Sequence, residues 1–233
     1  MLAPDSLPPR HDDLLEPLPP ATSAASPAEL VLREAHPGER APLERFVARR
    51  FLEVYDARIT HFLPRLFSAS DGEGRLAAVF GVRSAGDGPL FLEQYLDRPV
   101  EHAIEATFGR TAPREAIAEV GNLAGSTPGA LRALIPALTR QLSEDGFRYV
   151  AFTGAARLCN GFARLGLPLR CVARAPIDRL QPAERASWGR YYEHAPEVMV
   201  GDLALGMRLI EAFARHPQVL RAQLAPLARV GAP

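Results

Sequence analysis

A lone carboxylate interrupts an apolar, strand-like stretch near the middle of the chain. Residues 115–124 are mostly apolar, and Glu119 lies among them. Burying a carboxylate in a central strand is costly unless a partner compensates, and burial raises its pKa. Glu119 is therefore a candidate base that accepts a proton near neutral pH. A buried glutamate with a purely structural partner is the alternative, and the sequence favours neither.

The two residues that follow Val120 are unusual for the interior of a strand. Gly121 indicates a β-bulge or a close approach of a ligand to the backbone. Asn122 adds a side-chain donor and an acceptor beside that point. We expect the strand to bend here and to present backbone N–H groups to a bound molecule. A bulge that only curves the sheet is the alternative.

A glycine-containing loop, residues 125–130, follows this strand and opens a helix. Thr127 suits the N-cap, and Pro128 suits the first helical position. Free N–H groups at a helix start favour an anion, such as the pyrophosphate of coenzyme A or a phosphopantetheine arm. The loop is otherwise only a tight turn. The candidate phosphate-binding residues are Gly125, Ser126, Thr127, Gly129 and Ala130.

Polar groups beside bulky hydrophobic residues also mark residues 90–97. An extended segment there puts alternate side chains on opposite faces. Glu93, Gln94 and Tyr95 are therefore candidates to shape a substrate pocket. The same pattern is typical of a solvated edge strand, and taken alone it favours that interpretation.

The elements that position these residues begin as clustered strands and then alternate with helices. Strands are predicted at 30–32, 76–82, 90–96, 115–124, 149–153 and 169–173, and helices at 42–55, 99–108, 128–145 and 155–165. Asp97 is expected to cap the second helix, and Gly109 to end it. This order predicts an α/β fold with a mixed, partly parallel central sheet flanked by helices.

Three regions are expected along the chain. Residues 1–28 form a proline-rich, disordered tail, residues 29–202 form the α/β domain, and residues 203–233 form a helical extension. Pro217 divides that extension into two amphipathic helices.

Composition excludes several kinds of chemistry. All 27 basic residues are arginine, so no lysine can act as a nucleophile, and the zero net charge gives no field that attracts nucleic acid. Cys159 and Cys171 are expected to be small buried hydrophobic residues, and no Cys/His spacing indicates a metal. The N-terminus lacks the features of a signal peptide, and no run reaches the about 20 apolar residues of a membrane span. We therefore expect a cytoplasmic protein.

Four segments together resemble the thermostable hemolysin family: residues 90–97, 119–124, 160–167 and 188–192. The likeness runs in the same order over roughly residues 30–202. It implies a fold of the acyl-CoA N-acyltransferase type, related to the GNAT-type N-acetyltransferases and to acyl-homoserine-lactone and long-chain N-acyl amino acid synthases. In those relatives a splayed central strand pairs with the acyl-thioester arm, and the next helix start binds pyrophosphate.

The resemblance extends the set of candidate residues. It implies acyl-CoA or an acyl-carrier protein as co-substrate, no tightly bound cofactor, and a small amine as acceptor. Leu123 and Asn160 join the candidate cofactor-binding residues on this basis. The chain also departs from the pattern, because its glycine loop is degenerate and Phe162 stands where many N-acetyltransferases place a tyrosine acid. Either Tyr95, Cys159 or a water replaces that acid, or the thiolate leaves unaided.

Three functions follow from these features. In an acyltransferase, Glu119 deprotonates the amine, backbone N–H groups near Asn122 stabilise the oxyanion, and Gln94 and Tyr95 orient the acceptor. A membrane-active, haemolytic protein is the second, based on the C-terminal amphipathic helices, but such stripes more often pack on their own domain. A non-catalytic ligand-binding relative is the third, and Phe162 argues for it.

Overall fold

Seven strands form one sheet in a computed structural model that describes residues 30–215. They are β1 (Val31–Glu34), β2 (Arg65–Ser70), β3 (Leu76–Ser84), β4 (Ile117–Gly125), β5 (Tyr149–Gly154), β6 (Arg170–Arg174) and β7 (Glu197–Asp202). Their order in the sheet is β1-β2-β3-β4-β5-β7-β6. Strands β4 and β5 are parallel, and the other neighbouring pairs are antiparallel. The predicted α/β class with a mixed, partly parallel sheet is confirmed.

Helices cover both faces of this sheet. They are α1 (Arg40–Tyr55), α2 (Val100–Phe108), α3 (Pro128–Glu144), α4 (Ala156–Arg164), α5 (Pro182–Arg185) and α6 (Leu203–Arg215). Helices α1 and α2 pack against one face, and α3 with α4 packs against the other. Thr127 caps α3 as predicted, because its hydroxyl accepts the Ala130 N–H at 3.1 Å.

The parallel pair separates partway along its length. Pairing between β4 and β5 runs from Ile117 opposite Tyr149 to Val120 opposite Phe152. Beyond these pairs, β4 bends at a bulge, where its register with β3 shifts and Asn122 takes a φ of 51°. The bulge predicted at Gly121 and Asn122 is therefore confirmed. The free ends of β4 and β5 leave a gap in the middle of the sheet.

The strand predicted at residues 90–96 is wrong. Phe91–Tyr95 is a 3-10 turn, because the backbone N–H groups at its start are held by carboxylates rather than by a neighbouring strand. The Glu93 carboxylate accepts the N–H of Leu90 at 2.8 Å and the N–H of Val100 at 2.9 Å. One carboxylate thus closes the turn and satisfies an N–H at the start of α2.

Two smaller expectations are also corrected. Asp97 does not cap α2 but is exposed and pairs with Arg179 at 2.6 Å, whereas Gly109 ends that helix with a φ of 64° as predicted. Cys159 is half-buried, and Cys171 is exposed rather than buried. The reason is that Cys171 lies on β6, the edge strand of the sheet.

The last described helix packs back onto the domain. In α6 the N–H of Leu205 is capped by Asp202 at 2.8 Å, and Gly206 lies against Thr139 of α3. The N-terminal tail and the helix predicted after Pro217 lie outside the described residues, and the predicted region boundaries stay a prediction. Within residues 30–215, no helix combines the length and apolar content needed to cross a bilayer.

Candidate active site

A cavity of about 410 Å³ occupies the gap where β4 and β5 separate. Its volume falls in the range of small-molecule sites. On the α3 side it is apolar, and we call this part the apolar arm, lined by Leu134, Ile135, Leu138, Val150, Phe152 and Phe162. On the α1 side it is aromatic, and we call this part the aromatic chamber, lined by Tyr55, Phe91, Tyr95, Trp188, Tyr191 and Tyr192.

Glu119 lies on the chamber wall with only 4% of its surface exposed. Its two carboxylate oxygens accept the N–H groups of Phe91 at 3.0 Å and of Leu92 at 2.8 Å. Burial raises the pKa of Glu119 and outweighs these two donors, which act in the opposite direction. A carboxylate that is destabilised by burial and still faces a cavity is suited to accept a proton.

Asn122 uses its side chain to hold a neighbouring loop. Its Oδ1 accepts the Leu63 N–H at 2.8 Å, and its Nδ2 donates to the His61 carbonyl at 3.1 Å. The left-handed backbone at Asn122 breaks the regular pairing of β4, which frees backbone groups at the bulge. Gly121 and Leu123 line the cavity on either side. The Asn122 side chain is therefore already engaged, and its predicted role toward a ligand stays a prediction that would involve the backbone.

Two tyrosine hydroxyls meet in the aromatic chamber. Tyr95 and Tyr192 share a hydrogen bond through their hydroxyl groups. Burial raises the pKa of Tyr95, with a further contribution from Tyr192, and burial raises the pKa of Tyr192 to about 12. Both phenols therefore stay neutral in physiological conditions. The pair has a proton to donate to an oxygen or sulfur atom of a ligand.

Two cavity residues were missed by sequence reasoning. The hydroxyl of Thr153 on β5 is buried and has no hydrogen-bond partner within the described part of the chain. Arg83 on β3 lies directly opposite Glu119 in the β3–β4 register and also lines the cavity. The available signal was a polar residue at the end of an apolar strand, which becomes informative only once the strand pairing is known.

Besides the residues of the loop that opens α3, three predicted site residues do not line the cavity. Glu93 pairs with Arg114 at 2.7 Å, and although burial alone raises the pKa of Glu93, this partner and two backbone donors hold it below its ordinary value. The Gln94 amide donates to the Phe91 carbonyl at 2.8 Å. Neither these two residues nor Asn160 belongs to the cavity lining in residues 30–215. Their assignment to substrate or cofactor binding stays a prediction.

The loop that opens α3 is exposed from residue 126 to residue 129. Gly125 has a packing reason for being glycine, because an added Cβ would meet Leu131 Cγ at 2.7 Å. The Gly125 carbonyl also accepts the Arg50 Nε–H at 2.9 Å. Leu123 and Leu131 continue from this loop into the cavity wall. Of the predicted phosphate-binding residues, Ser126, Thr127 and Gly129 are thus accessible, whereas Gly125 is buried and Ala130 is partly exposed. Phosphate binding at this loop stays a prediction.

Solved structures with the same architecture define the fold class. TofI in an apo form superposes with a TM-score of 0.54 at 15% identity, over 78% of this chain and 95% of TofI. FeeM, an N-acyl amino acid synthase from uncultured soil microbes, gives 0.52 at 18% identity over 76% and 92% of the two chains. BjaI, a CoA-dependent acyl-homoserine lactone synthase, gives 0.52 at 12% identity over 82% and 89%. The protein has an acyl-CoA N-acyltransferase-like fold.

Within that class, the chain belongs to the thermostable hemolysin family, whose model matches residues 33–207. The resemblance seen in the sequence is therefore confirmed. By sequence alone, no curated protein matches the chain.

Proposed function

We propose that this protein is an acyltransferase that moves an acyl group from a coenzyme A or carrier-protein thioester to the amine of a small acceptor. The observation that carries the proposal is the cavity at the separated ends of β4 and β5. It joins a buried carboxylate with a raised pKa, Glu119, to an apolar arm. The fold class it shares with a CoA-dependent synthase adds support.

The acyl chain occupies the apolar arm in this proposal. Leu134 and Leu138 of α3 form one wall, and Phe162 of α4 stacks on Phe152 with ring centroids 5.2 Å apart. Each buried methylene of an acyl chain contributes about 0.8 kcal/mol to binding. Phe162 thus has a packing role where a tyrosine acid stands in many N-acetyltransferases.

The thioester carbon then lies at the bulge, between the two parts of the cavity. The phosphates of the donor extend toward residues 125–130 at the start of α3, of which residues 126–129 are exposed. Glu119 takes a proton from the acceptor amine, directly or through one water, and the amine attacks the thioester carbonyl. Backbone N–H groups at the bulge stabilise the oxyanion of the tetrahedral intermediate.

The departing sulfur needs a proton when the C–S bond breaks. Of the residues considered as acids, Tyr95 lines the cavity, whereas Cys159 does not. The hydrogen-bonded pair of Tyr95 and Tyr192 supplies the proton and is reprotonated from solvent, while Glu119 releases the proton of the amine to solvent. The products are an amide and a free thiol. We also propose that the reaction takes place in the cytoplasm.

Calorimetric titration of the full chain with dodecanoyl-CoA, and with a dodecanoyl carrier protein, tests the proposal. We expect saturable heat with at least one donor, and release of free thiol when an amine acceptor is added. The absence of heat with both donors would contradict the proposal. Binding of a donor without thiol release from a broad set of amines would favour the non-catalytic alternative.

A further inference from the structure

Two opposite charges are neighbours on the wall of the aromatic chamber. Arg83 on β3 and Glu119 on β4 are directly paired in the antiparallel register, so both side chains project from the same face of the sheet. Residues paired in this way have their Cα atoms about 4.5–5.5 Å apart. Both line the cavity.

Inside the described part of the protein, the interaction of Arg83 with an acidic group is a longer-range charge interaction with Glu119. No described residue forms an ion pair or a hydrogen bond with its guanidinium, although it is half-buried. Arg114 shows what a structural arginine does in the same region. It binds Glu93 at 2.7 Å, Glu101 at 2.6 Å and the carbonyls of Ala85 and Gly88 at 2.9 Å. A guanidinium that lines a cavity without such partners is placed to bind an anion that arrives with a ligand.

Glu119 does not account for the position of Arg83. Both Glu119 oxygens are already held by the N–H groups of Phe91 and Leu92, and Arg83 acts on them only through a weaker, longer-range charge interaction. The guanidinium therefore remains available while Glu119 faces the cavity.

We propose that the acyl acceptor is an α-amino acid, whose carboxylate is bound by Arg83 while its amine faces Glu119. This inference rests on the proposed acyltransferase function and identifies the acceptor class. The amine and the carboxylate of an α-amino acid are attached to one carbon, which matches two charged side chains on directly paired residues. A simple amine leaves Arg83 without a partner and is selected against, because an unpaired polar group in the site costs binding free energy.

The decisive test compares two product-like ligands that differ only in the acidic group. The full chain is titrated with N-dodecanoylglycine and with the neutral N-dodecanoylglycinamide. We expect the acid to bind at least about 10-fold more tightly, as for a charge-assisted contact with arginine. Arg83→Gln removes this preference and keeps the affinity for the amide, which also shows that the variant is folded.

Two further variants serve as controls for this binding test. Arg83→Lys retains part of the preference, because it keeps the positive charge without the bidentate geometry. Arg45→Gln, which removes the same charge from the exposed side of α1, leaves the preference unchanged. Equal binding of acid and amide by the wild-type protein overturns the inference, and so does a preference that survives Arg83→Gln, or a failure of both ligands to bind.

Turnover separates this inference from the proposed function. With dodecanoyl-CoA as donor, thiol release is measured with leucine and with leucinamide. Faster release with leucine supports both proposals. Equal release with the two acceptors keeps the acyltransferase and overturns the role of Arg83. No release with either acceptor, together with an Arg83-dependent preference for N-dodecanoylglycine, overturns the acyltransferase and keeps the carboxylate site.

Discussion

At the scale of single residues, the protonation of Glu119 controls the proposed reaction. Burial raises its pKa above the ordinary value of 4.5, and a base acts only when it is ionised. The rate of thiol release should therefore rise with pH through an apparent pKa above 4.5. Glu119→Gln should lower the rate by about 10²–10⁴-fold and remove this dependence.

The control for this prediction is Glu115→Gln, which neutralises an exposed carboxylate four residues earlier in the chain. Its pH–rate profile should match that of the wild-type protein. If Glu119→Gln retains the rising limb, another group is the base.

Thr153 provides a second prediction at this scale. Its hydroxyl is buried and has no partner among residues 30–215, so Thr153→Val removes an unsatisfied polar group and should leave the melting temperature equal or higher. If the hydroxyl contacts the acyl donor, the same change should weaken dodecanoyl-CoA binding by about 5–10-fold, the worth of one hydrogen bond. Calorimetry and thermal unfolding together separate the two effects.

Thr153→Ser is the matched variant, since it keeps the hydroxyl and removes only a methyl group. It should bind the donor as the wild-type protein does. Equal donor affinity in the Val variant would show that Thr153 plays no part in binding.

At the scale of elements, the segment around Trp188 depends on a glycine. Gly189 has a φ of 49°, and an added Cβ would lie 2.3 Å from the Asp56 carbonyl oxygen and 2.4 Å from that of Tyr55. Arg190 N–H donates to the same Tyr55 carbonyl at 2.7 Å, so the backbone here has no room to move away. This contact fixes the part of the aromatic chamber that carries Trp188 and Tyr192 against the end of α1.

Gly189→Ala should therefore lower the free energy of unfolding by about 3 kcal/mol, from backbone strain and overpacking together. Gly109→Ala is the matched control, because Gly109 also has a positive φ of 64° but nothing lies within 4 Å of its added Cβ. Gly109→Ala should lower the free energy of unfolding by about 1 kcal/mol, because only the left-handed backbone is unfavourable there. Urea unfolding measures both, and equal losses would show that the contact with the end of α1 is unimportant.

The sequence predicted the structural features that depend only on the residue types at that point of the chain. The cap at Thr127 and the bulge at Gly121 follow from residue types in place, and both are confirmed. The turn at residues 91–95 was missed, because its N–H groups are held by the carboxylates of Glu93 and Glu119. Glu93 also reaches Val100 and Arg114. Strand alternation alone cannot show such a contact.

The candidate site was harder to predict for the same reason. Glu119 stands out because a charge in an apolar strand is expensive wherever the strand lies. Arg83 and Thr153 can be recognised as cavity residues only once the pairing of β3 with β4 and the separation of β4 from β5 are known. That geometry depends on contacts between distant parts of the chain, which residue spacing does not encode.

At the scale of the whole molecule, the described part of the C-terminal extension belongs to the fold. Leu203, at the start of α6, is buried in the same core as Leu138 and Leu142 of α3, and Gly206 contacts Thr139. The apolar side of α6 thus has a partner inside the protein, and inserting it into a membrane would expose part of the core. We therefore expect the intact chain to leave dye-loaded phosphatidylcholine vesicles sealed at concentrations that saturate donor binding.

Vesicle leakage distinguishes the proposed acyltransferase from a membrane-active protein, because the two functions would use different parts of the molecule. Glu119→Gln should lower thiol release by about 10²–10⁴-fold and have no influence on vesicles, since Glu119 is buried in the cavity wall. Leakage by both the wild-type and the Glu119→Gln protein, lost when residues 216–233 are removed, would place a lytic function in the C-terminal residues. The proposed acyl-transfer site would then be a separate property of the same chain, because its cavity is formed within residues 51–192.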